Sequence, residues 1–320
     1  MHLNDPQRAA VDFDKGPCLV LAGPGSGKTA VITQRIKKLI EKGVPAQEIL
    51  VITFTKAAAV EMKERFNRLM DNVDSVTFGT FHSLFWGILQ KEFLYKSSDI
   101  LMGHQKTRII KEAMELAGVN QDNEDLLSSF IIEISAVNCN FYGLKKYQPK
   151  LIDKEDLSKV YDAYNKLKAK YRVIDFDDML TKAFKLFSEN PDILKSWQSK
   201  FSYFMIDEMQ DMNDIQFELI KMLSDRTKNI FCVGDDDQSI YGFRGSDPKI
   251  MQSFYETYDN CARILLNINY RNPENLVKSA SKLIENNKNR FPKVIESTAE
   301  ESKTKVYSAP DLLTEAKVIV

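Results

Sequence analysis

The stretch Ala22-Gly23-Pro24-Gly25-Ser26-Gly27-Lys28-Thr29 constrains this chain more than any other. It follows the apolar run Cys18-Leu19-Val20, which reads as a buried strand. It precedes Ala30-Val31-Ile32-Thr33-Gln34-Arg35-Ile36, which reads as the opening of a helix. A strand, a glycine-rich turn and a helix N-terminus make a phosphate cradle. Backbone N–H groups converge on phosphate oxygens, Lys28 sets a cation on the outer phosphates, and the Thr29 hydroxyl can ligate Mg²⁺.

The same alternation continues along the chain. Ile49-Leu50-Val51-Ile52-Thr53 reads as a second strand, leading through Phe54-Thr55 into a helix over 56–70. Ser75-Val76-Thr77-Phe78 reads as a third strand, and Gly79-Thr80-Phe81-His82-Ser83 turns into another helix. Between about residues 101 and 191 the pattern is helical and charged, with helices expected over 104–118, 124–138, 153–171 and 176–189. Strands then resume at Tyr203–Ile206, Asn229–Val233 and Arg263–Leu266. Asn269-Tyr270-Arg271-Asn272-Pro273 is expected to open a helix running to about residue 287. Lys305-Val306-Tyr307 reads as a last strand, before a helix from Leu312. The fold class is therefore α/β: a parallel sheet covered by helices on both faces, carrying an all-helical insertion.

Composition narrows the function classes. The 320 residues exceed one average domain, and 43% are hydrophobic, enough for a sizeable core. No apolar run approaches the length of a membrane span, and Met1-His2-Leu3-Asn4-Asp5 has no basic-then-apolar leader, so the cytoplasm is expected. Cys18, Cys139, Cys232 and Cys261 are scattered and read as reduced buried thiols. With 44 basic against 45 acidic residues, a nucleic-acid partner would have to be held by a local groove, because no overall basic field exists.

Hydrolysis needs more than a cradle. It needs an acid to hold the metal and a group to orient water. Asp207 and Glu208, ending an apolar strand, supply that pair: Asp207 for Mg²⁺, Glu208 as general base. Gln238, after another acidic strand end, has a neutral amide suited to sensing a γ-phosphate, whereas Asp235, Asp236 and Asp237 would repel it. Arg271 is a candidate arginine finger and Tyr270 can lie flat on adenine; a core tyrosine beside a surface arginine is the competing reading. Gln7, ahead of the cradle, offers one donor and one acceptor to the adenine edge, or is simply a helix-surface residue. Phe54, Tyr241 and Phe243 sit at strand-to-helix corners with His82 and Arg244 near by. Stacked bases of single-stranded nucleic acid would cover such aromatics, as core packing also would. The two explanations balance at Phe54; stacking is favoured at Phe243.

Taken in order, these segments resemble the superfamily 1 DNA helicases of the UvrD/Rep/PcrA type. LNDPQRAAV is similar to the family's adenine-reading motif, AGPGSGKT to motif I, TFTKAAAVEM to motif Ia and GTFHS to the next DNA-contacting motif. IDEMQDMNDIQ is similar to motif II, VGDDDQSIYGFRG to motif III and NYRNPENL to motif IV, while DFDDML resembles the close of the helical subdomain. The resemblance implies a RecA-like ATPase domain, 1A, over 1–100 and 190–268. It implies a helical subdomain, 1B, over 101–189, and the start of domain 2A over 269–320. It implies ATP and Mg²⁺ as cofactors and single-stranded DNA as partner, with 3′→5′ translocation in repair or recombination and partner proteins from those pathways. Alongside the roles above, it implies that Phe54, His82, Tyr241 and Phe243 line the single-strand groove. Ala30, Lys56, Ala57 and Met209 depart from the family's commoner residues, and Phe243 stands where tryptophan is frequent. Motifs V and VI and the 2B insertion are not among these residues, so the 320 residues alone are expected to bind Mg·ATP and, weakly, single-stranded DNA, with little ATPase and no unwinding. Two rival readings are the helicase subunit of a helicase–nuclease of AddA or RecB kind, and an ATP-regulated DNA clamp that does not unwind.

Overall fold

The computed structural model describes residues 2–70, 75–139, 143–240, 246, 249–303 and 307–319. Six strands form one parallel sheet: β1 (Cys18–Ala22), β2 (Ile49–Thr53), β3 (Thr77–Thr80), β4 (Tyr203–Ile206), β5 (Ile230–Gly234) and β6 (Ala262–Leu266), in the order β3-β2-β4-β5-β1-β6. The sequence explains the layering. β1, β2, β4 and β5 are continuous apolar runs buried along their whole length, as strands with helices on both faces must be. The partly exposed β3 and β6 take the edges. Each Val, Leu or Ile fully buried there stabilises the fold by roughly 1.5–3 kcal/mol, which outweighs any local preference for another conformation.

The register brings the chemistry to one edge. Leu21 of β1 pairs with Gly234 of β5, and Ile206 of β4 pairs with both Cys232 of β5 and Ile52 of β2. The carboxyl ends of β1, β4 and β5 therefore lie side by side, and it is beyond such ends that ligands bind in sheets of this kind.

The helical insertion has a core of its own, built from Leu101, Ile109, Ile110, Phe130, Ile134, Leu157, Tyr164 and their neighbours, apart from the core around the sheet. Its helices run Gly103–Leu116, Glu124–Cys139 and Lys154–Tyr171, with a short turn of helix at Gly143–Lys146; the helix Phe176–Glu189 follows and packs mainly on the helices Phe81–Phe93 and Asp214–Ser224. Its two ends meet at a neck. Ile100 and Ile174 form a parallel bridge, Leu101 N donates to Ile174 O at 2.7 Å, and Ile174 N donates to Asp99 O at 2.9 Å. Just past this neck lies a buried charge cluster. Asp175 accepts from the Tyr164 hydroxyl at 2.7 Å and has the ammonium groups of Lys168 and Lys106 each at 3.5 Å; Lys168 also pairs with Asp178 at 2.7 Å.

By contact density the chain divides into two units, Met1–Ala22 with Gly27–Leu266, and Gly23–Ser26 with Asn267–Val320. Two sequence expectations are corrected, one in each unit. Asn269–Pro273 does not open a helix: it belongs to a strand, β7 (Ile268–Pro273), paired in parallel with β8 (Glu296–Ala299), and the helix begins only at Glu274 and ends at Ile284. The proline stands at the strand's end, where its missing N–H costs no ladder bond. The third strand is also displaced, to Thr77–Thr80, so Gly79 and Thr80 pair with β2 rather than turning. Lys305 and Val306 lie outside the described residues. The helix from Leu312 runs to Ile319.

All four cysteines are unpaired, and burial pushes the Cys18 thiol up to about 12. Among the described residues, no helix is long and apolar enough to cross a membrane.

Candidate functional site

In the first unit, Lys28 is the first residue of the helix Lys28–Glu41, and Gly27 is its N-cap with φ +87°. Only glycine takes that conformation without strain, and a Cβ there would lie 2.9 Å from Gln7 Nε2. Gln7 itself is buried as the third residue of the helix Asp5–Asp12. Its Oε1 accepts from Asn4 N at 3.1 Å while Asn4 Oδ1 accepts from Gln7 N at 2.8 Å, a reciprocal cap. The carboxamide expected to read a base is thus pinned by its oxygen, with its nitrogen beside the loop's last glycine.

Lys28 Nζ sits 2.7 Å from Glu208 Oε2, so the strand-terminal pair and the cradle lysine are brought together. A cation on the first residue of a helix faces the positive end of the helix dipole, and Glu208 offsets this. Glu208 has φ 51° and ψ 49°, a left-handed conformation that costs a non-glycine residue roughly 1–2 kcal/mol and swings its side chain out of line with the strand. Asp207 is 7% exposed, and its Oδ1 has no hydrogen-bond partner among the described residues. Burial, reinforced by the neighbouring Glu208 charge and opposed by Lys28, lifts its carboxyl to about 7. Asp211 is in the same condition: its Oδ1 is buried and unpartnered, and burial with Glu208 raises it to about 6.

One residue here has no counterpart in the sequence reading. Gln210, 2% exposed, donates from Nε2 to Glu208 Oε2 at 2.9 Å and accepts at Oε1 from Asp235 N at 3.0 Å. Asp235 in turn accepts from Gln238 Nε2 at 2.7 Å and from Asp237 N at 3.2 Å. An unbroken chain of contacts therefore links Lys28, Glu208, Gln210, Asp235 and Gln238. The carboxylates of Asp235, Asp236 and Asp237 lie within 4.8 Å of one another, but Asp235 uses both its oxygens to shape the turn that holds Gln238.

Phe54 is half-buried at the end of β2. His82, also half-buried, sets its ring at 70° to that of Phe176 with centroids 6.0 Å apart, and burial lowers its pKa against the opposing pull of Asp177. Phe176 is 45% exposed; the sequence placed it within DFDDML but gave it no part in the site. Tyr241, Phe243 and Arg244 lie outside the described residues.

In the second unit, Ser26 is buried and its hydroxyl donates to Gly23 O at 2.7 Å, tightening the loop's tip. Gly25 O accepts from Tyr270 N at 3.0 Å, and with φ +65° a Cβ on Gly25 would come within 2.6 Å of Asn269 Oδ1. That same oxygen accepts from Arg271 N at 2.8 Å and Asn272 N at 2.9 Å, so Asn269 holds the backbone that carries Tyr270 and Arg271, whose side chains are exposed.

A glycine-capped helix start with its lysine, a strand-terminal acid pair and a linked amide at the carboxyl end of one sheet are what nucleotide hydrolysis calls for. Comparison with known proteins agrees. Residues 3–259 match the model of the UvrD/REP helicase N-terminal domain. The chain is 36% identical, over 99% of its length, to 43% of a putative ATP-dependent DNA helicase, YjcD, of Bacillus subtilis. It is 37% identical over 91% of its length to 40% of the ATP-dependent DNA helicase PcrA of the same organism, and 35% identical over 91% to 41% of PcrA from Staphylococcus aureus. The chain thus spans less than half the length of these curated relatives. Matched by the family model over most of its residues, it belongs to the UvrD/REP helicase N-terminal domain family.

Proposed function

We propose that this chain is the nucleotide-binding portion of an ATP-dependent DNA helicase that translocates 3′→5′ on single-stranded DNA in the cytoplasm, in repair or recombination. One observation carries the reading: Lys28, Glu208 and an oxygen of Asp207 that has no donor among the described residues converge at the carboxyl end of one sheet. A buried carboxylate oxygen without a donor fits a divalent cation, and Asp207 with Thr29 would hold Mg²⁺. The bound ion would neutralise phosphate charge. Lys28 holds the outer phosphates, and Glu208, released from Lys28 once phosphate occupies that ammonium, takes the proton of the attacking water. Gln238 responds to the γ-phosphate, and Gln7 faces the base. Tyr270 as base-stacking aromatic and Arg271 as the cation for the transferred phosphoryl group rest on the family's sequence pattern, as do Phe54, His82, Tyr241 and Phe243 for DNA. The layout proposed is 1A over 1–100 and 190–268, 1B over 101–189, and the start of 2A over 269–320.

The test is binding of a fluorescent ATP analogue with Mg²⁺. Lys28→Ala should weaken it at least about tenfold, the loss of one charge-assisted contact, whereas Glu208→Gln should bind within about threefold of the parent chain. Unchanged affinity in Lys28→Ala would overturn the reading.

A further inference from the structure

Arg35 is among the largest fully buried side chains of the molecule, and its guanidinium faces no carboxylate within ion-pair distance among the described residues. It turns instead to the C-terminal end of the helix Asp5–Asp12. Nη1 donates to the carbonyl of Phe13 and, at 3.4 Å, to that of Val11; Nη2 donates to the carbonyl of Asp14 at 3.3 Å. The Phe231 ring centroid lies 4.5 Å from the guanidinium carbon and that of Phe13 5.3 Å. Burial pulls the group down to about 10, so it remains charged at neutral pH.

A cation is expensive in such a place, and carbonyls at the negative end of a helix, with the more distant charge of Asp14, offset part of that cost. The planar fork suits several carbonyls at once, which a lysine ammonium matches poorly. What the arrangement accomplishes follows from where the two helices touch. Gln7 Nε2 lies at Gly27, Phe13 and Asp14 at Arg35, Asp12 at Lys38 and Asp14 at Lys42, so contacts climb both helices together. Arg35 is a buried tether at one end of the short helix, and the Gln7 carboxamide stands at the other. Six residues of helix and cap separate Gln7 from Phe13, roughly 9 Å at 1.5 Å per residue, too short and stiff to absorb a shift at one end without moving the other.

We propose that Arg35 is a positioning residue for base recognition: by gripping the carbonyl end of helix Asp5–Asp12 it sets the height of the Gln7 carboxamide beside Gly27, and with it the preference for adenine. This rests on the nucleotide-site reading above.

The test compares Arg35→Met, Arg35→Lys and Gln7→Ala with the parent chain. It measures dissociation constants for Mg·ATP, Mg·GTP and inorganic tripolyphosphate, with a thermal melt of each variant. The expected result is a loss of about tenfold in the ATP-over-GTP ratio for Arg35→Met, the worth of one hydrogen bond, with tripolyphosphate binding within about twofold of the parent. Arg35→Lys should recover only part of the ratio. A folded Arg35→Met that keeps the parent ratio, or that weakens all three ligands equally, overturns the proposal; where Arg35→Met does not fold, Arg35→Lys decides by the same ratio. If Gln7→Ala itself leaves the ratio unchanged, the base-reading role of Gln7 fails, a result separate from one in which Gln7→Ala matters and the Arg35 variants do not.

Discussion

Two buried aspartates, both close to lysines, have opposite fates in this molecule. Asp175, fully buried behind the neck of the helical insertion, receives the Tyr164 hydroxyl and two ammonium groups; burial pushes its carboxyl up, but Lys168 and Lys106 outweigh that and hold it below the usual range. Asp207, just after β4, has one oxygen without a donor among the described residues, and its carboxyl is lifted to about 7. The same side chain is a staple where the fold supplies its partners, and a strained charge where it does not. Satisfaction of the buried charge, more than its burial, separates architecture from chemistry.

The sharpest way to break the contrast is to remove each carboxylate. Asp175→Ala leaves Lys168 paired with Asp178 and Lys106 with Asp177, but orphans the Tyr164 hydroxyl and uncaps the helix Phe176–Glu189, and should cost about 2–4 kcal/mol in urea unfolding. A loss below about 1 kcal/mol would remove the staple from the comparison.

Asp207→Asn should do the reverse. An acid whose folded pKa is raised holds its proton in the folded chain after the unfolded chain has released it, so the parent loses stability as pH rises from about 4 to about 7. In chelator, Asp207→Asn should therefore match the parent near pH 4 and exceed it by on the order of 2–4 kcal/mol at pH 8. Parallel stability curves from pH 4 to pH 8 would mean that Asp207 is not strained by its burial.

A smaller effect sharpens the picture. Gln210→Ala breaks the link between Glu208 and Asp235 and should cost about 1–2 kcal/mol, the net loss of two buried hydrogen bonds, read by the same unfolding curves.

Much of the sheet was legible because doubly buried strands announce themselves as unbroken apolar runs. β2 and β4 fall where Ile49–Thr53 and Tyr203–Ile206 were read. The cradle and the acid pair were legible because each is a short motif at a strand's end. β7 was not: Asn-Tyr-Arg-Asn-Pro has no alternating apolar pattern, and its backbone is shaped by the Asn269 side chain rather than by hydrophobic burial. β8, Glu-Ser-Thr-Ala, is equally silent. Gln210 and Arg35 escaped for another reason. Their partners lie 25 and about 22 residues away, so the sequence shows only a polar residue on a turn and a basic one on a helix. Phe176 is intermediate, visible inside a motif but mute about its contact with His82.

The neck at Ile100 and Ile174 carries a last consequence. The insertion leaves and returns at bridged, adjacent points, and Lys106, Ser135, Tyr164 and Lys168 bond to Asp175, Asp177 and Asp178 just past them, so it is carried as one closed loop whose ends already meet. Closing such a loop costs only about 0.6 kcal/mol more for each doubling of its length. Away from Lys106, Ser135, Tyr164 and Lys168, the insertion can therefore be lengthened or shortened with little thermodynamic consequence for the strands beneath, which makes it the place where chains on this plan can diverge in size while the sheet stays as it is.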